Sequence, residues 1–360
     1  MKVLIVFNHP APYKVLIFNE LAKHVDLTVI FERNKAKNRP DKFYSLNKYG
    51  FKAITLTDCY FGNEGTYSNN VKKFIKQHHS EFDLIVMNGY SHLAEMKAID
   101  YMKRNKIPFT LMINGGVIHS KELKIKKWYK KKYVSSASYF ISPSLASDDY
   151  LVYYGADKEK IFRYPYSNIS FKDIIDSEVD KTTIRNRFNL PLNRQIFVNA
   201  SQFIDRKNNM HLIELFKDRE EHLLLVGDGP ELEKYQSYIK ENKMHNVTIV
   251  PFQERKQLFE ILKGCDAFIT LAKEDIFGHT IIEALANGLP VISSNKVNSA
   301  LEVLNGKNGF VVDINNDEEI IDRINKVRNL DIKDIIETAK EYTVEKCGQR
   351  LADIFGAINE

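Results

Sequence analysis

The feature that most constrains this chain is an alternation of short apolar runs and amphipathic segments that passes through it twice. In the first half, β-branched apolar runs fall at 3–7, 27–31, 51–56, 84–87, 109–113 and 139–141. In the second they fall at 196–200, 223–226, 247–250, 267–271, 291–293 and 310–312. Most are continuous and do not alternate, as in strands covered on both faces. Between them, segments such as 14–24 and 90–103 place apolar residues three and four apart, as helices do. Strand and helix in alternation dictate parallel βαβ units in an open doubly wound sheet. The pattern lapses around 164–180, where Tyr164-Pro165-Tyr166-Ser167-Asn168 gives way to a charged stretch. The expectation is an α/β chain of two Rossmann-like domains, 1–168 and 181–340, joined by a linker at 169–180. The two face each other across a cleft, and a last helix at about 340–360 folds back on the first. A length of 360 residues suits two such domains better than a single core.

Composition removes several classes of function. A 44% hydrophobic and 28% charged chain folds, and a net charge of +5 is too diffuse to call for nucleic acid. Cys59, Cys265 and Cys347 are far apart and odd in number, against a disulfide framework or a cysteine metal site and in favour of a reducing compartment. The opening MKVLIVFNHP has an apolar run too short for the roughly 7–15 residues of a secretory signal. Nor does any stretch reach the ~18 apolar residues of a membrane span, so a cytoplasmic protein is expected. Phosphate-loop, zinc-protease and nucleophile-elbow motifs are missing from the sequence.

Chemistry concentrates in 273–294, KEDIFGHTIIEALANGLPVISS. A strand ends near Leu271, a loop carries Asp275-Ile276-Phe277-Gly278, and a helix runs from about His279 to Asn287 before Gly288 stops it. Gly278 lets the backbone approach a ligand, and the free amides of Gly278, His279 and Thr280 form an anion site at the helix start. Glu283 lies one turn further in. This segment resembles the signature of the retaining GT4 glycosyltransferases of GT-B fold, in which two acidic residues flank a Phe-Gly turn before an Ala-rich helix and a Gly-x-Pro-Val strand. The pair here is Asp275 and Glu283, with Asp where Glu is usual. The resemblance implies that Asp275 lies near the donor sugar and Glu283 on the ribose.

Further landmarks follow in the family's order. After the first strand of the second domain comes Ser201-Gln202-Phe203-Ile204-Asp205-Arg206-Lys207. Relatives place an Arg and a Lys there on the donor diphosphate. Lys207 matches the Lys, Gln202 stands where Arg is common, and Arg206 is the candidate second cation. Gly227-Asp228-Gly229-Pro230 resembles the turn lining the nucleotide pocket, and Val250-Pro251-Phe252 the stretch contacting the base. In the first half a glycine-rich loop is replaced by Asn8-His9-Pro10-Ala11-Pro12-Tyr13-Lys14. Pro12, Tyr13 and Lys14 are acceptor-side candidates. Asn114-Gly115-Gly116 stands where a His is frequent, so either Asn114 or His119 contacts the transferred sugar.

The segment 121–133, KELKIKKWYKKKY, carries seven lysines and one Glu. On a helix Ile125, Trp128 and Tyr129 share a face bordered by lysines. That arrangement suits docking on an anionic bilayer, a helix with its apolar side in the core and a basic exterior, or an RNA-binding patch, of which bilayer contact is the expectation.

The resemblance thus implies a hexosyltransferase that retains anomeric configuration, with a UDP-sugar the expected donor and a lipid-linked cell-surface glycan the acceptor. No Asp-x-Asp follows an apolar strand, so neither a metal nor a cofactor is expected. The competing readings are a non-catalytic GT-B subunit that binds glycan or partner, a nucleotide-sugar epimerase, and a sugar phosphorylase.

Overall fold

The computed structural model describes residues 1–36, 44, 48–56, 60–61, 65–66, 69–119, 121–175 and 179–359; Cys59 lies outside them. The chain divides into two compact units, Met1–Asn168 with Thr343–Glu360, and Ile169–Tyr342. Residues 169–175, 179 and 180 accordingly belong to the second unit.

The first unit is built on β1 (Lys2–Phe7), β2 (Asp26–Phe31), β3 (Lys52–Thr55), β6 (Leu84–Met87), β7 (Thr110–Met112), β8 (Tyr139–Ser142) and β9 (Ile161–Arg163), with a small ribbon β4 (Tyr60–Phe61) and β5 (Gly65–Thr66). The large sheet is parallel in the order β3-β2-β1-β6-β7-β8-β9. Its helices are α1 (Pro12–Leu21), α2 (Asn70–His78), α3 (Leu93–Arg104), α4 (Lys124–Val134) and α5 (Leu145–Tyr153), joined late in the chain by α14 (Val344–Asn359). Strand β9 was not foreseen, because Ile161-Phe162-Arg163 is a short, half-exposed edge with no continuous apolar run. Helix α14 packs on α1, burying Cys347, Leu351, Ile354 and Phe355. Gly348 permits that approach, since a Cβ there would lie 2.6 Å from that of Glu20.

The second unit carries β10 (Ile196–Ala200), β11 (His222–Val226), β12 (Val247–Val250), β13 (Ala267–Thr270), β14 (Val291–Ser294) and β15 (Gly309–Val312), parallel in the order β12-β11-β10-β13-β14-β15. Around it lie α6 (Lys181–Arg187), α7 (Asn209–Leu215), α8 (Leu232–Glu241), α9 (Arg255–Gly264), α10 (His279–Ala286), α11 (Asn298–Val303), α12 (Asp317–Lys326) and α13 (Ile332–Glu341). Strands β10, β11, β13 and β14 are wholly buried, which is why their sequences are mainly apolar and do not alternate with exposed polar residues. Helix α6 starts on an Asp180 cap, and its Arg185 reaches Asp266 at the foot of β13 at 2.6 Å.

In both sheets the strand order reverses beside the first strand, between β1 and β6 and between β10 and β13. Loops leaving the carboxyl ends of such a pair diverge and leave a crevice.

Candidate functional site

In the second unit the crevice between β10 and β13 gathers most of the expected residues. The loop after β10 runs through exposed Gln202 into a short 3-10 turn, Asp205–Lys207. Asn208 ends that turn in the left-handed region at φ 57° and hydrogen-bonds the carbonyl of Leu271 at 3.0 Å, fastening the loop to the neighbouring strand. Lys207 is thereby aimed across the crevice, where its ammonium is ion-paired with Asp275. Arg206 turns outward: its guanidinium donates to the carbonyl of Glu274 at 3.2 Å, and its own carbonyl accepts from Lys273 N at 2.8 Å.

Asp275 is held by its backbone. Its N–H donates to Lys296 O at 3.0 Å and its carbonyl accepts from Asn298 N at 3.3 Å, a single parallel bridge past the end of β13. Gly278 then caps α10 at φ 91°, and a Cβ there would sit 2.5 Å from Val297 Cγ1. Conformation and space both demand glycine. His279 and Thr280 are the first residues of α10; their amides and that of Gly278 belong to the first turn, which has no intrahelical acceptors. Buried Phe277 lies 5.0 Å from the His279 ring. The helix ends at Ala286, with Gly288 at φ 74°.

Glu283, 9% exposed, is met by Arg255 Nη1 at 3.2 Å. The same guanidinium reaches Asp173 at 3.0 Å and stacks 4.3 Å above Phe259. Neither Arg255 nor Asp173 was singled out in the sequence, because Glu283 and Asp173 reach Arg255 from far along the chain. Pro251 and Phe252, exposed beyond β12, lie in the segment that leads to Arg255. Gly227 and Gly229 press against the β10 loop: a Cβ would fall 1.9 Å from Ser201 O at the first and 2.4 Å from Phe203 O at the second. Phe203 N donates to Asp228 O at 2.8 Å, so this turn braces the loop that carries Lys207.

In the first unit the loops after β1, β6 and β7 surround a cavity of about 240 Å³. Tyr13, Asn114 and Gly115 line it, whereas exposed His119 does not. Pro12 opens α1. Lys14 is corrected from acceptor candidate to core residue: it is fully buried, its Nζ 3.3 Å from Tyr164 OH and 4.4 Å from the Tyr166 ring centre. Burial pulls its ammonium down to about 7.

Residues that the sequence reading passed over lie in the same cavity. Glu95 and His92 line it, and Glu32 stands behind His92 Nδ1 at 3.3 Å. Burial first, and then the charge of Glu32, push the Glu95 carboxyl up. Burial pulls His92 down, but its hydrogen bond to Glu32 and the charges of Glu95 and Glu32 outweigh that and hold it above the usual range. The spacing of His92 and Glu95 as a helix cap was the one available signal.

Helix α4 presents Ile125 and Trp128 outward, 71% and 65% exposed, while Tyr129 packs on the core. The basic-exterior reading with the whole apolar side buried therefore fails for those two residues. Lys130 and Lys132 turn back to Glu122 and Asp100 at 2.5 and 2.7 Å; Lys124, Lys126 and Lys131 are exposed. Among the described residues no helix is long and apolar enough to cross a membrane.

Residues 180–342, nearly the whole second unit, match the family model described as Glycosyl transferases group 1. An uncharacterised glycosyltransferase of Methanocaldococcus jannaschii is 21% identical over 46% of this chain and 48% of its own length. The O-antigen biosynthesis glycosyltransferase WclY of Escherichia coli is 25% identical over 41% of each chain. The match thus spans about half the length of these curated relatives or less. Over 99% of this chain and all of the other, the structure is similar to Anabaena HepE, solved with UDP and glucose, with a TM-score of 0.74 and 18% identity. Residues 180–342 are therefore similar to the glycosyl transferases group 1 family, within a chain of GT-B fold.

Proposed function

We propose that the protein transfers a sugar from a nucleotide-diphosphate donor, a UDP-sugar, to a hydroxyl of a glycan, with retention at the anomeric carbon and without a metal. The observation that carries this reading is the Lys207–Asp275 ion pair at the mouth of a crevice whose other wall is the amino end of α10. In the absence of donor, Asp275 neutralises Lys207. An arriving diphosphate competes for that ammonium and lies against the first-turn amides, where anions are favoured. The carboxylate so released accepts hydrogen bonds from the sugar hydroxyls, and Glu283, oriented by Arg255, accepts them from the ribose.

As the glycosidic C–O bond breaks, its electron pair leaves with the phosphate oxygen, and positive charge grows on the ring. Preorganised donors at the leaving group stabilise that transition state. The acceptor oxygen attacks the face the leaving group vacates, and the departing phosphate takes its proton. The HepE structure with UDP and glucose and the O-antigen role named for WclY support a UDP-sugar and a cell-surface glycan, respectively. The test is a panel of UDP-, GDP- and ADP-sugars with lipid-linked oligosaccharide acceptors, following nucleotide release and the anomeric configuration of the product by NMR. Transfer from a UDP-sugar with an unchanged anomer is the expected result; an inverted product overturns the retaining mechanism, and release from no donor overturns the enzyme.

The acceptor's lipid anchor would bring the protein to the inner face of a membrane, and α4 supplies the contact. Each exposed lysine near an anionic surface contributes ~1 kcal/mol, to which Ile125 and Trp128 add apolar burial. Replacing Lys124, Lys126 and Lys131 by Gln, with Trp128→Ala, is expected to lower co-sedimentation with phosphatidylglycerol vesicles at least tenfold. Lys130 is left alone because its pairing with Glu122 is internal. Equal sedimentation of variant and wild type would refute the contact.

A further inference from the structure

The cavity of the first unit has a chemical character of its own. Among the described residues no lysine or arginine lines it, and Glu95 is the one carboxyl group in its lining, with the imidazoles of His9 and His92 beside it. A phosphate or carboxylate held there would find no guanidinium or ammonium among those residues and would meet the Glu95 carboxyl instead. What lines it instead is a set of side-chain amides, Asn8, Asn88 and Asn114, each able to donate and to accept, beside the aromatic rings of Phe7, Tyr90 and Tyr150. A polyol presents the same mixture, hydroxyls that donate and accept on the rim of an apolar ring. At about 240 Å³ the cavity falls below the ~300–1,000 Å³ of pockets that bury a drug-sized ligand, so it suits a single ring.

The carboxyl group in its lining is held in place by its neighbours. Gly89, at φ 130°, stands where a Cβ would come within 2.8 Å of Glu95 Oε1. Glu95 Oε2 accepts from His92 N at 3.0 Å, which fixes the side chain. Glu95 is 3% exposed and Glu32, close behind, is fully buried. Two carboxylates grouped with His92 within 4.8 Å of one another favour a ligand that brings hydrogens or positive charge.

We propose that this cavity receives the terminal ring of the acceptor as a neutral or amino-bearing sugar, with Glu95 accepting its hydroxyl or ammonium hydrogens, and rejects a ring presenting phosphate or carboxylate there. This rests on the glycosyl-transfer reading above and names the class of its acceptor.

The experiment uses the full chain and four probes: methyl α-glucopyranoside, methyl glucosaminide, glucuronate and glucose 6-phosphate. Binding is followed by saturation-transfer NMR and titration, and UDP is titrated in parallel. Wild type is expected to bind the two methyl glycosides, the amino sugar the more tightly, and neither anionic sugar. Glu95→Gln keeps an acceptor oxygen for His92 N, so the cap survives. It is expected to weaken the amino sugar about tenfold and to erase its advantage over the neutral one. Asn114→Ala, which leaves the buried carboxylates alone, is expected to weaken both glycosides and serves should Glu95→Gln fail to fold. Binding of glucuronate or glucose 6-phosphate as tight as that of the methyl glycosides overturns the proposal, as does an amino-sugar preference intact in Glu95→Gln. UDP binding with no methyl glycoside bound counts against this proposal alone; absence of UDP binding counts against the donor site in the second unit instead.

Discussion

Lys207→Ala is expected to lower sugar transfer by about 10²–10³-fold, the range seen when one preorganised donor is removed from a developing negative charge. The loss should fall mainly on kcat, because the charge on the leaving phosphate is larger in the transition state than in the bound donor. Stability should change little. The Lys207 and Asp275 side chains are 14% and 19% exposed, so the stranded carboxylate still reaches water, and the cost is about 1 kcal/mol. Asp275→Asn separates the two roles of the pair: it frees the ammonium and should tighten UDP binding, yet slow transfer for want of the carboxylate on the sugar. Steady-state kinetics and UDP titration of both variants and of the double variant check this. A Lys207→Ala enzyme that retains more than a tenth of wild-type kcat would remove Lys207 from the chemistry.

The second large effect concerns stability and lies in the other unit. Lys14→Met is expected to raise the thermal midpoint by roughly 5–10 °C at pH 7. Burial moves the Lys14 ammonium from 10.5 to about 7, which corresponds to roughly 4–5 kcal/mol set against the folded state at neutral pH. Losing the hydrogen bond to Tyr164 returns about 1 kcal/mol of that, and methionine has nearly the same length and no charge to desolvate. The sign follows from proton counts. Between pH 7 and 10.5 the unfolded chain holds a proton on Lys14 that the folded chain does not, so wild type should gain stability as pH rises through that window. The contribution is fully present above 10.5 and lost as pH falls through 7. Calorimetry of both proteins at pH 7 and pH 9.5 checks it: the variant should be the more stable at pH 7, with the gap narrowing at 9.5. A gap that does not narrow would mean that Lys14 keeps its proton in the fold.

How much of this could be seen in the sequence depends on the distance over which each feature is decided. Strands β10, β11, β13 and β14 of the second unit are buried on both faces, and so they announce themselves as mainly apolar runs. Gly278 and Gly288 punctuate α10 because their backbone angles exclude other residues, and such demands are local. Lys207 and Asp275 were read from a motif, and the structure sets them side by side although 68 positions separate them. The edge strand β9 left no trace because an edge needs little apolar surface. The Arg255 bridge from Glu283 to Asp173 is a property of the folded chain, as is the group formed by Glu32, His92 and Glu95: each member alone reads as an ordinary surface charge. Lys14 misled for the same reason, since nothing near it in the sequence says that Tyr164, Tyr166 and Cys347 will close over it.

Because α14 completes the first unit after the chain has already built the second, a recombinant piece ending at Asn168 would leave the α1 strip bare where Leu351, Ile354 and Phe355 normally sit. At about 1.5–3 kcal/mol for each such side chain, that strip is worth enough to drive reassociation. A synthetic peptide of residues 343–359 added back in trans should rescue the fragment's solubility, which makes the seam between α1 and α14 a ready split point for a complementation reporter.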